Sequence, residues 1–374
     1  MSALAAIVVG GLAVWLLVSA RQSALFLIGA LAGVVLYHAT FGFTSSWRDF
    51  IAHGRGAGVR AQMVMLGLTT AVFVPLITHG ADMGLAVRGS VAPAGVPVVA
   101  GAFLFGIGMQ LGGGCASGTL FSAGGGSIRM FVTLAAFIAG SVLGIRYTSM
   151  WEHAPALRPM ALTEFGAWPA LLVSLTGFIL IYGVSTVVEN RRRGRVEPDA
   201  ASGRARLLHG PWTLVAGAVG LAVVNVSTLL IAGRPWGVTA AFALWGAKFL
   251  MAVGVDVASW PYWQPAARAA DLHASVLRDV TSVMNLGIML GALVAAALAG
   301  KFAPVWRVPA RSLAAAVVGG LMLGYGARIA YGCNIGAYFS GVSSTSLHGW
   351  VWLASAFSGN IVGTRLRPWF GLAV

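Results

Sequence analysis

Two glycine-rich segments, each containing one cysteine, lie 218 residues apart in the chain and resemble each other. At this offset the segments 106–118 and 324–336 share four glycines and one cysteine. The only two cysteines of the chain, Cys115 and Cys333, therefore occupy the same repeat position. An internal repeat dictates the architecture that contains it. The repeat predicts a doubled molecule with one thiol in each half.

Charged residues make up only 9% of the 374 residues, and hydrophobic residues make up 58%. A soluble globular chain carries about 25% charged residues, so this chain has too little charge to cover an aqueous surface. Long apolar runs favour a helix bundle over an outer-membrane barrel, whose strands alternate apolar and polar residues. The composition predicts an all-α polytopic membrane protein.

Eleven apolar segments are candidates to cross about 30 Å of hydrocarbon. The first has no basic leader region and no clear cleavage site, so we expect a retained helix rather than a signal peptide. The segments lie at 3–20, 23–41, 61–79, 96–112, 128–149, 167–189, 211–232, 238–257, 279–299, 311–331 and 347–364.

Four stretches of small, irregular sequence interrupt the apolar chain, at 41–46, 112–126, 235–241 and 332–346. Irregular backbone at membrane depth is tolerated only where it is buried in protein or lines a cavity. The first and third stretches also share a Gly-x-Thr sequence. We therefore expect four broken or re-entrant elements, two from each half, around one centre near mid-membrane.

Arginines indicate the orientation, because short cytoplasmic loops are rich in Arg and Lys. The basic segment 191–210 is predicted to be a cytoplasmic linker between an N-terminal half, 1–190, and a C-terminal half, 211–374, within one membrane domain. On this reading the spans that follow the two cysteines cross in opposite directions, which predicts inverted, pseudo-symmetric halves. The net charge of +14 is thereby assigned to cytoplasmic loops, and no nucleic-acid partner is expected. The orientation of the N-terminus stays open.

Each cysteine is followed by small residues and is predicted to lie at the start of a short helix. A helix start attracts anions, and a thiol there can donate S–H or act as a thiolate. Two such thiols suit a small, soft anion that contains sulfur, whereas hard oxyanions are usually bound by Arg or Lys. Two alternatives stay open: each cysteine is a small buried hydrophobe, or a disulfide joins the halves.

Three further residues are candidates for the site. Gln110 and Arg328 occupy equivalent positions, five residues before the cysteines. Lys248 is an ionisable residue within an apolar span, which is a functional hypothesis by default. No metal or cofactor is expected, because none of the seven histidines has a metal-ligand spacing.

Enzyme motifs are missing from the sequence. It contains no nucleophile elbow, no P-loop and no cluster of carboxylates for acid–base chemistry. A transporter is therefore expected rather than an enzyme. The alternative within enzyme chemistry is a membrane sulfurtransferase, in which one cysteine forms a persulfide.

Three motifs resemble those of the YeeE/YedE family of bacterial inner-membrane sulfur transporters. The resemblance implies thiosulfate uptake through an hourglass-shaped molecule, with four loops dipping to the centre and thiols passing the anion by S–H hydrogen bonds. It also implies a small cytoplasmic sulfur-carrier partner of the TusA type, and selenium species as an alternative substrate in some branches. The motifs are GGGCASG at 112–118, GRPWGVT at 233–239 and YGCNIG at 331–336.

Carried over to this chain, the resemblance identifies Cys115 and Cys333 as hydrogen-bonding stations. The resemblance also implies a relay of three thiols, with a third cysteine in the first dipping loop. This chain departs from that pattern, because the loop contains Thr44 and its neighbours but no cysteine. That departure leaves thiosulfate as the expected substrate and another sulfur compound as the alternative. The backbone and cavity-wall candidates are Gly114, Ser117, Gly332, Asn334, Gly42, Thr44, Gly237 and Thr239.

Overall fold

The computed structural model describes residues 2–196, 209–302, 304 and 306–374. The described chain is almost entirely helical, and a two-residue antiparallel pairing of Ala94–Gly95 with Ala156–Leu157 joins two loops. The helices are α1 Ser2–Leu17, α2 Ala20–His38, α3 Phe43–His53, α4 Ala57–His79, α5 Val96–Gly112, α6 Ala116–Gly124, α7 Ile128–Arg146, α8 Ser149–Glu152, α9 Ala167–Arg193, α10 Leu214–Ala232, α11 Thr239–Ala252, α12 Ala266–His273, α13 Val280–Leu298, α14 Ala310–Ile329, the π-helix Asn334–Phe339, α15 Ser340–Ser343 and α16 Leu347–Leu366.

Eight helical segments of the described chain are long and apolar enough to cross a membrane. The protein is therefore a multi-pass α-helical membrane protein, as predicted. Each of the eleven predicted apolar segments forms a helix, but three are not among the eight. Helices α1 and α11 are shorter than the roughly 20 residues that a span requires, and α16 contains several polar side chains. The eight are Ala20–His53, Ala57–His79, Val96–Gly124, Ile128–Arg146, Ala167–Arg193, Leu214–Ala232, Val280–Leu298 and Ala310–Ser343.

The chain is interrupted at all four places that the sequence singles out. A residue with positive φ lies within each interruption or just before it: Thr40 at 44°, Gly113 at 90°, Gly233 at 69° and Tyr331 at 56°. Gly113 and Tyr331 are equivalent in the 218-residue repeat, so a positive φ occurs at the same position of both cysteine loops. Left-handed backbone costs a non-glycine residue about 1–2 kcal/mol, and two of these positions carry that cost.

The helices pack in corresponding pairs. Helix α2 packs on α13 while α4 packs on α10, and α5 packs on α16 while α7 packs on α14. Helices α5 and α14, which precede the two cysteines, also pack on each other. The contacts are close because glycines lie at the crossings, where they let two helix backbones approach. These pairings agree with the twofold relation between halves, which stays a prediction.

The division of the chain also stays a prediction. Helix α9 continues through the first arginines of the predicted linker and ends at Arg193, where Gly194 adopts a φ of 73°. Residues 197–208 of the linker lie outside the described residues. Beyond them, the backbone N–H of Trp212 donates to the carbonyl of His38 at 2.8 Å. That bond places the start of the second half beside the end of α2.

Candidate functional site at the paired cysteine loops

Cys115 caps the N-terminus of α6. The backbone N–H of Gly118 donates to Cys115 Sγ at 3.4 Å, and Ser117 Oγ lies 3.4 Å from the same sulfur. The residue is 1% exposed and is a free thiol. The sequence favours this arrangement because Gly113, at a φ of 90°, ends α5 and turns the chain. A helix start thus surrounds the sulfur with N–H groups, as predicted.

Cys333 precedes the π-helix and is also a free, buried thiol. Its side chain makes no capping hydrogen bond to that helix, whereas Cys115 Sγ accepts one from the Gly118 N–H. Each cysteine thus lies just before a short helix, but the two sulfurs differ in their hydrogen bonds. A π-helix is rare and often occurs at functional sites. The second cysteine therefore has the less regular helix of the two.

The two cysteine loops meet. Helix α6, which follows Cys115, contacts the π-helix, which follows Cys333. Both thiols belong to one hydrophobic cluster. The structure does not place the sulfurs at remote positions, and it does not join them by a disulfide. Neither sulfur borders one of the cavities described next, so each is enclosed in this conformation.

A cavity of about 340 Å³ reaches the Cys333 loop at Gly332 and Gly336. We call it the outer cavity, after the predicted orientation of the loops beside it. Three guanidinium groups line it, from Arg234, Arg268 and Arg328, and the described lining residues include no carboxylate. Gly237 and Thr239, two predicted wall residues, also line it. The arrangement favours entry of an anion.

A second cavity of about 450 Å³ lies at the other end of the cysteine elements. It borders the C-terminal end of α6 at Gly125 and Gly126, and Arg129 and Arg307 contribute positive charge to its wall. We call it the inner cavity. Arg129 also donates to the carbonyls of Leu111 and Gly112, at 2.6 and 2.8 Å. These bonds hold the end of α5 against the start of α7, between the inner cavity and Cys115.

Gln110 and Arg328 make equivalent contacts. Gln110 Nε2 donates to the carbonyl of Thr44 at 3.1 Å, and Arg328 Nη2 donates to Thr239 Oγ1 at 2.8 Å. Each residue precedes a cysteine by five positions and holds the Gly-x-Thr turn beside it. Gln110 is bonded in addition to Asn360 Oδ1 at 2.6 Å. In each half, the segment before the cysteine is thus hydrogen-bonded to a Gly-x-Thr turn. The sequence alone did not suggest this link.

Several buried polar atoms near the centre have no hydrogen-bond partner within the described chain. They include both side-chain polar atoms of Asn334, Thr44 Oγ1 and Trp236 Nε1. Such groups cost about 1–3 kcal/mol each when they stay unpaired. A polar ligand that reached them would recover that cost.

The remaining candidates have structural contacts. Lys248 Nζ donates to the carbonyls of Leu272 and Ala274 at 2.6 and 2.7 Å, so it holds the loop after α12 and is not among the cavity-lining residues. Gly42 caps α3, and its carbonyl accepts from Ser45 Oγ at 3.1 Å. Arg268 and Arg234 also line the outer cavity, which was not predicted from the sequence. Arg234 lies within a quoted motif, whereas nothing in the sequence distinguishes Arg268 from other loop arginines.

Comparison with known proteins decides the family. A family model described as sulphur transport matches residues 38–362. The chain belongs to the sulphur transport family. This confirms the resemblance to YeeE/YedE proteins and the prediction of a transporter rather than an enzyme.

The chain is similar to proteins named TsuA over most of its length and to proteins named YedE over less than half of it. Thiosulfate transporter TsuA of Spirochaeta thermophila is 26% identical over 366 residues, which cover 92% of this chain and 97% of the relative. Thiosulfate transporter TsuA of Escherichia coli (strain K12) is 24% identical, with coverage of 91% and 92%. Probable transporter YedE of Escherichia coli (strain K12) is 32% identical over 167 residues. That match covers 44% of this chain and only 40% of the YedE chain.

Asp271 is a carboxylate near the outer cavity whose charge opposes anion entry. Partial burial, and secondly the charge of Asp279, raise the pKa of Asp271, while Arg234 and Lys248 act in the other direction. Because its pKa is raised, Asp271 becomes protonated at a higher pH than an ordinary aspartate does. It therefore loses its charge in a pH interval just above the ordinary aspartate range. We expect the KM for a transported anion to fall over that interval. We expect Asp271→Asn to lower KM about two- to fivefold at neutral pH, as for a single exposed charge pair, and to remove the pH dependence.

The control for this prediction is Asp82→Asn, which removes an equal charge at an exposed loop position outside the lining. Initial uptake rates at several pH values measure both variants. An equal change in KM for both variants, or an unaltered pH profile in Asp271→Asn, contradicts the prediction.

Proposed function

We propose that this chain carries thiosulfate across the inner membrane of a bacterium, with Cys115 and Cys333 as successive hydrogen-bonding stations. The observation that carries the proposal is the contact between the two helices that follow the free thiols, with one arginine-lined cavity reaching the Cys333 loop and another at the end of α6. The names of the two full-length relatives support thiosulfate as the substrate.

The chemistry of the site suits thiosulfate. The dianion has hard oxygens at one end and a soft sulfur at the other. Guanidinium groups attract the whole dianion through charge, and the oxygens accept hydrogen bonds from helix N–H groups. A thiol donates weakly and is easily polarised, which suits the soft end. The anion would move from the outer cavity past Cys333 and then Cys115 to the inner cavity.

Polar side chains supplement the thiols. The amide of Asn334 and the hydroxyl of Thr44 are buried and unpartnered within the described chain. We assign them to the anion path, the first through both its side chain and its backbone N–H. Thr44 stands where the family resemblance implies a third thiol, so an O–H would serve there instead of an S–H.

The two halves, 1–190 and 211–374, are proposed to be related by an inverted twofold axis through the cysteine loops. The paired helix contacts and the equivalent contacts of Gln110 and Arg328 support this relation. Such symmetry suits a transporter, because substrate sites form where inverted repeats meet near the bilayer midplane. The segment 191–210 would join the halves on the cytoplasmic side.

A cytoplasmic sulfur carrier of the TusA type is the proposed partner on the inner side. It would collect the anion where Arg129 and Arg307 line the inner cavity. Removal of the product there would keep transport directed inward.

Purified protein in liposomes tests the function. We expect protein-dependent uptake of radiolabelled thiosulfate that unlabelled thiosulfate suppresses and equimolar sulfate does not. Sulfate has the same charge but lacks the soft sulfur, so it is the matched control. Equal suppression by sulfate and thiosulfate, or no uptake above protein-free liposomes, contradicts the proposal.

The alternatives give different results in the same system. A selenium transporter predicts stronger suppression by a selenium analogue than by thiosulfate itself. A sulfurtransferase predicts a covalent persulfide on one cysteine, which intact-protein mass spectrometry detects after exposure to thiosulfate. Transport by hydrogen bonding predicts no change in protein mass.

A further inference from the structure

An apolar groove lies on the side of the helix bundle, between the exposed helix α9 and helix α16. Its volume is about 460 Å³, within the roughly 300–1,000 Å³ of ordinary small-molecule sites. Leu180 and Val184 of α9 form one wall, and Leu353, Ala354 and Phe357 of α16 form another. We call it the lateral groove. Its lining is almost wholly apolar, which suits a hydrocarbon chain.

The groove lies near the depth at which the acyl chains of one lipid leaflet end. Along α9 it extends from Leu180 to Ser185, and the helix ends at Arg193. At about 1.5 Å per residue, the groove begins about 12 Å and ends about 20 Å above that basic end. The hydrocarbon of one leaflet is about 15 Å deep. An acyl chain whose head group lies at the end of α9 reaches into the groove.

Positive charge is concentrated at that end of α9. Arg191 and Arg192 are exposed at the end of α9, and Arg192 Nη1 donates to the carbonyl of Ile51 at 3.1 Å. Arg192 thereby lies against the end of α3, beside Arg55 in the turn that leads to α4. Clusters of this kind attract anionic lipid head groups. The nearby Glu189 is buried and paired with Arg60. Asp49 of α3 is partly exposed beside His53, and the exposed arginines outnumber it.

The floor of the groove belongs to the cysteine site. Trp47 and Tyr338 line it, and both donate to Gln62 Oε1, at 2.9 and 3.3 Å. Tyr338 lies on the π-helix and stacks on Trp352, with 6.3 Å between ring centroids. Trp352 Nε1 donates in turn to the carbonyl of Gly332 at 3.2 Å. A ligand in the groove therefore packs against the residues that hold the Cys333 loop.

We propose that the lateral groove binds an acyl chain of one anionic phospholipid from the cytoplasmic leaflet, with its phosphate at the arginines that end α9. The bound lipid stabilises Tyr338 and, through Trp352, the Cys333 loop. The binding site is independent of the transported substrate, and only the effect of the lipid on uptake rests on the function proposed above.

Native mass spectrometry tests the binding. The protein is exchanged into detergent with equal amounts of phosphatidylglycerol, which is anionic, and phosphatidylcholine, which is zwitterionic. We expect the wild type to retain one phosphatidylglycerol in at least tenfold preference over phosphatidylcholine. If the wild type retains no lipid, or retains the two lipids equally, the proposal is overturned by this measurement alone.

Two variants of α16 locate the site. Ala354→Phe fills the groove and is expected to abolish retention of phosphatidylglycerol. Ser358→Phe adds a ring one turn further along, at an exposed position outside the lining, and is expected to retain it. Unchanged retention in Ala354→Phe, or equal loss in both variants, overturns the assignment. Since retention is measured without substrate, failure of the lipid proposal and failure of thiosulfate transport are separate results.

Discussion

Thiosulfate uptake is expected to fall by about ten- to a hundredfold when Cys333 is replaced by alanine. A hydrogen bond to a charged group contributes about 1.5–3 kcal/mol, and each 1.4 kcal/mol is a factor of ten in rate. Cys333→Ser keeps a donor at the same place and should recover part of the rate for thiosulfate. Because O–H is a harder donor than S–H, the serine variant should also discriminate less between thiosulfate and sulfate. Initial rates in liposomes measure both effects.

Cys115→Ala should cause a loss of similar size, since Cys115 occupies the same repeat position as Cys333 and is likewise a buried free thiol. The alanine variants should unfold at temperatures close to that of the wild type, because a buried thiol packs as a small hydrophobe. That measurement separates a loss of function from a loss of fold. Unchanged uptake in a stable alanine variant would contradict the role of that thiol.

Gly106→Leu is expected to destabilise the protein by about 3 kcal/mol or more. A Cβ at Gly106 would lie inside contact distance of the Ala356 carbonyl oxygen, and only 2.9 Å from the Asn360 backbone nitrogen, across the α5–α16 crossing. Backbone atoms cannot rotate away as side chains can, so the whole helix would have to move. Overpacking of this kind typically costs about 1–3 kcal/mol even where side chains can adjust.

Gly183→Leu is the matched control. Apart from Gly183 itself, its chain neighbours and the adjoining backbone of α9, no described atom lies within 4 Å of a Cβ built on Gly183, in the middle of α9. There the substitution should stabilise the protein by up to about 1 kcal/mol, because leucine favours a helix more than glycine does. Thermal unfolding of the two purified variants in one detergent should therefore shift in opposite directions. Equal midpoints would mean that the α5–α16 crossing is looser than described.

The sequence predicted the class of fold well. Apolar run length identifies membrane helices because the bilayer imposes that length. The repeat placed Cys115 and Cys333 at equivalent positions, and small-residue stretches predicted where helices break. The number of spans was less predictable. The apolar sequence continues beyond the ends of helices α1 and α11. These helices stop at turns that depend on tertiary contacts.

The contacts that complete the site lie beyond local sequence patterns. The pairing of Gln110 with Thr44 joins residues from α5 and α3, and that of Arg328 with Thr239 joins residues from α14 and α11. Arg268 lines the outer cavity because the loop around α12 folds over it. The lateral groove exists only because α9 packs beside α16. Such features depend on how separate helices assemble, and a single sequence does not encode them in any periodic pattern.

The position of a bound anion tests the central claim most directly. Selenosulfate carries selenium in place of the terminal sulfur of thiosulfate, so anomalous scattering from a crystal locates its soft end. Anomalous peaks in contact with Cys115 Sγ and Cys333 Sγ are the predicted result. Selenium confined to the arginines of the two cavities, with none at either thiol, would contradict it.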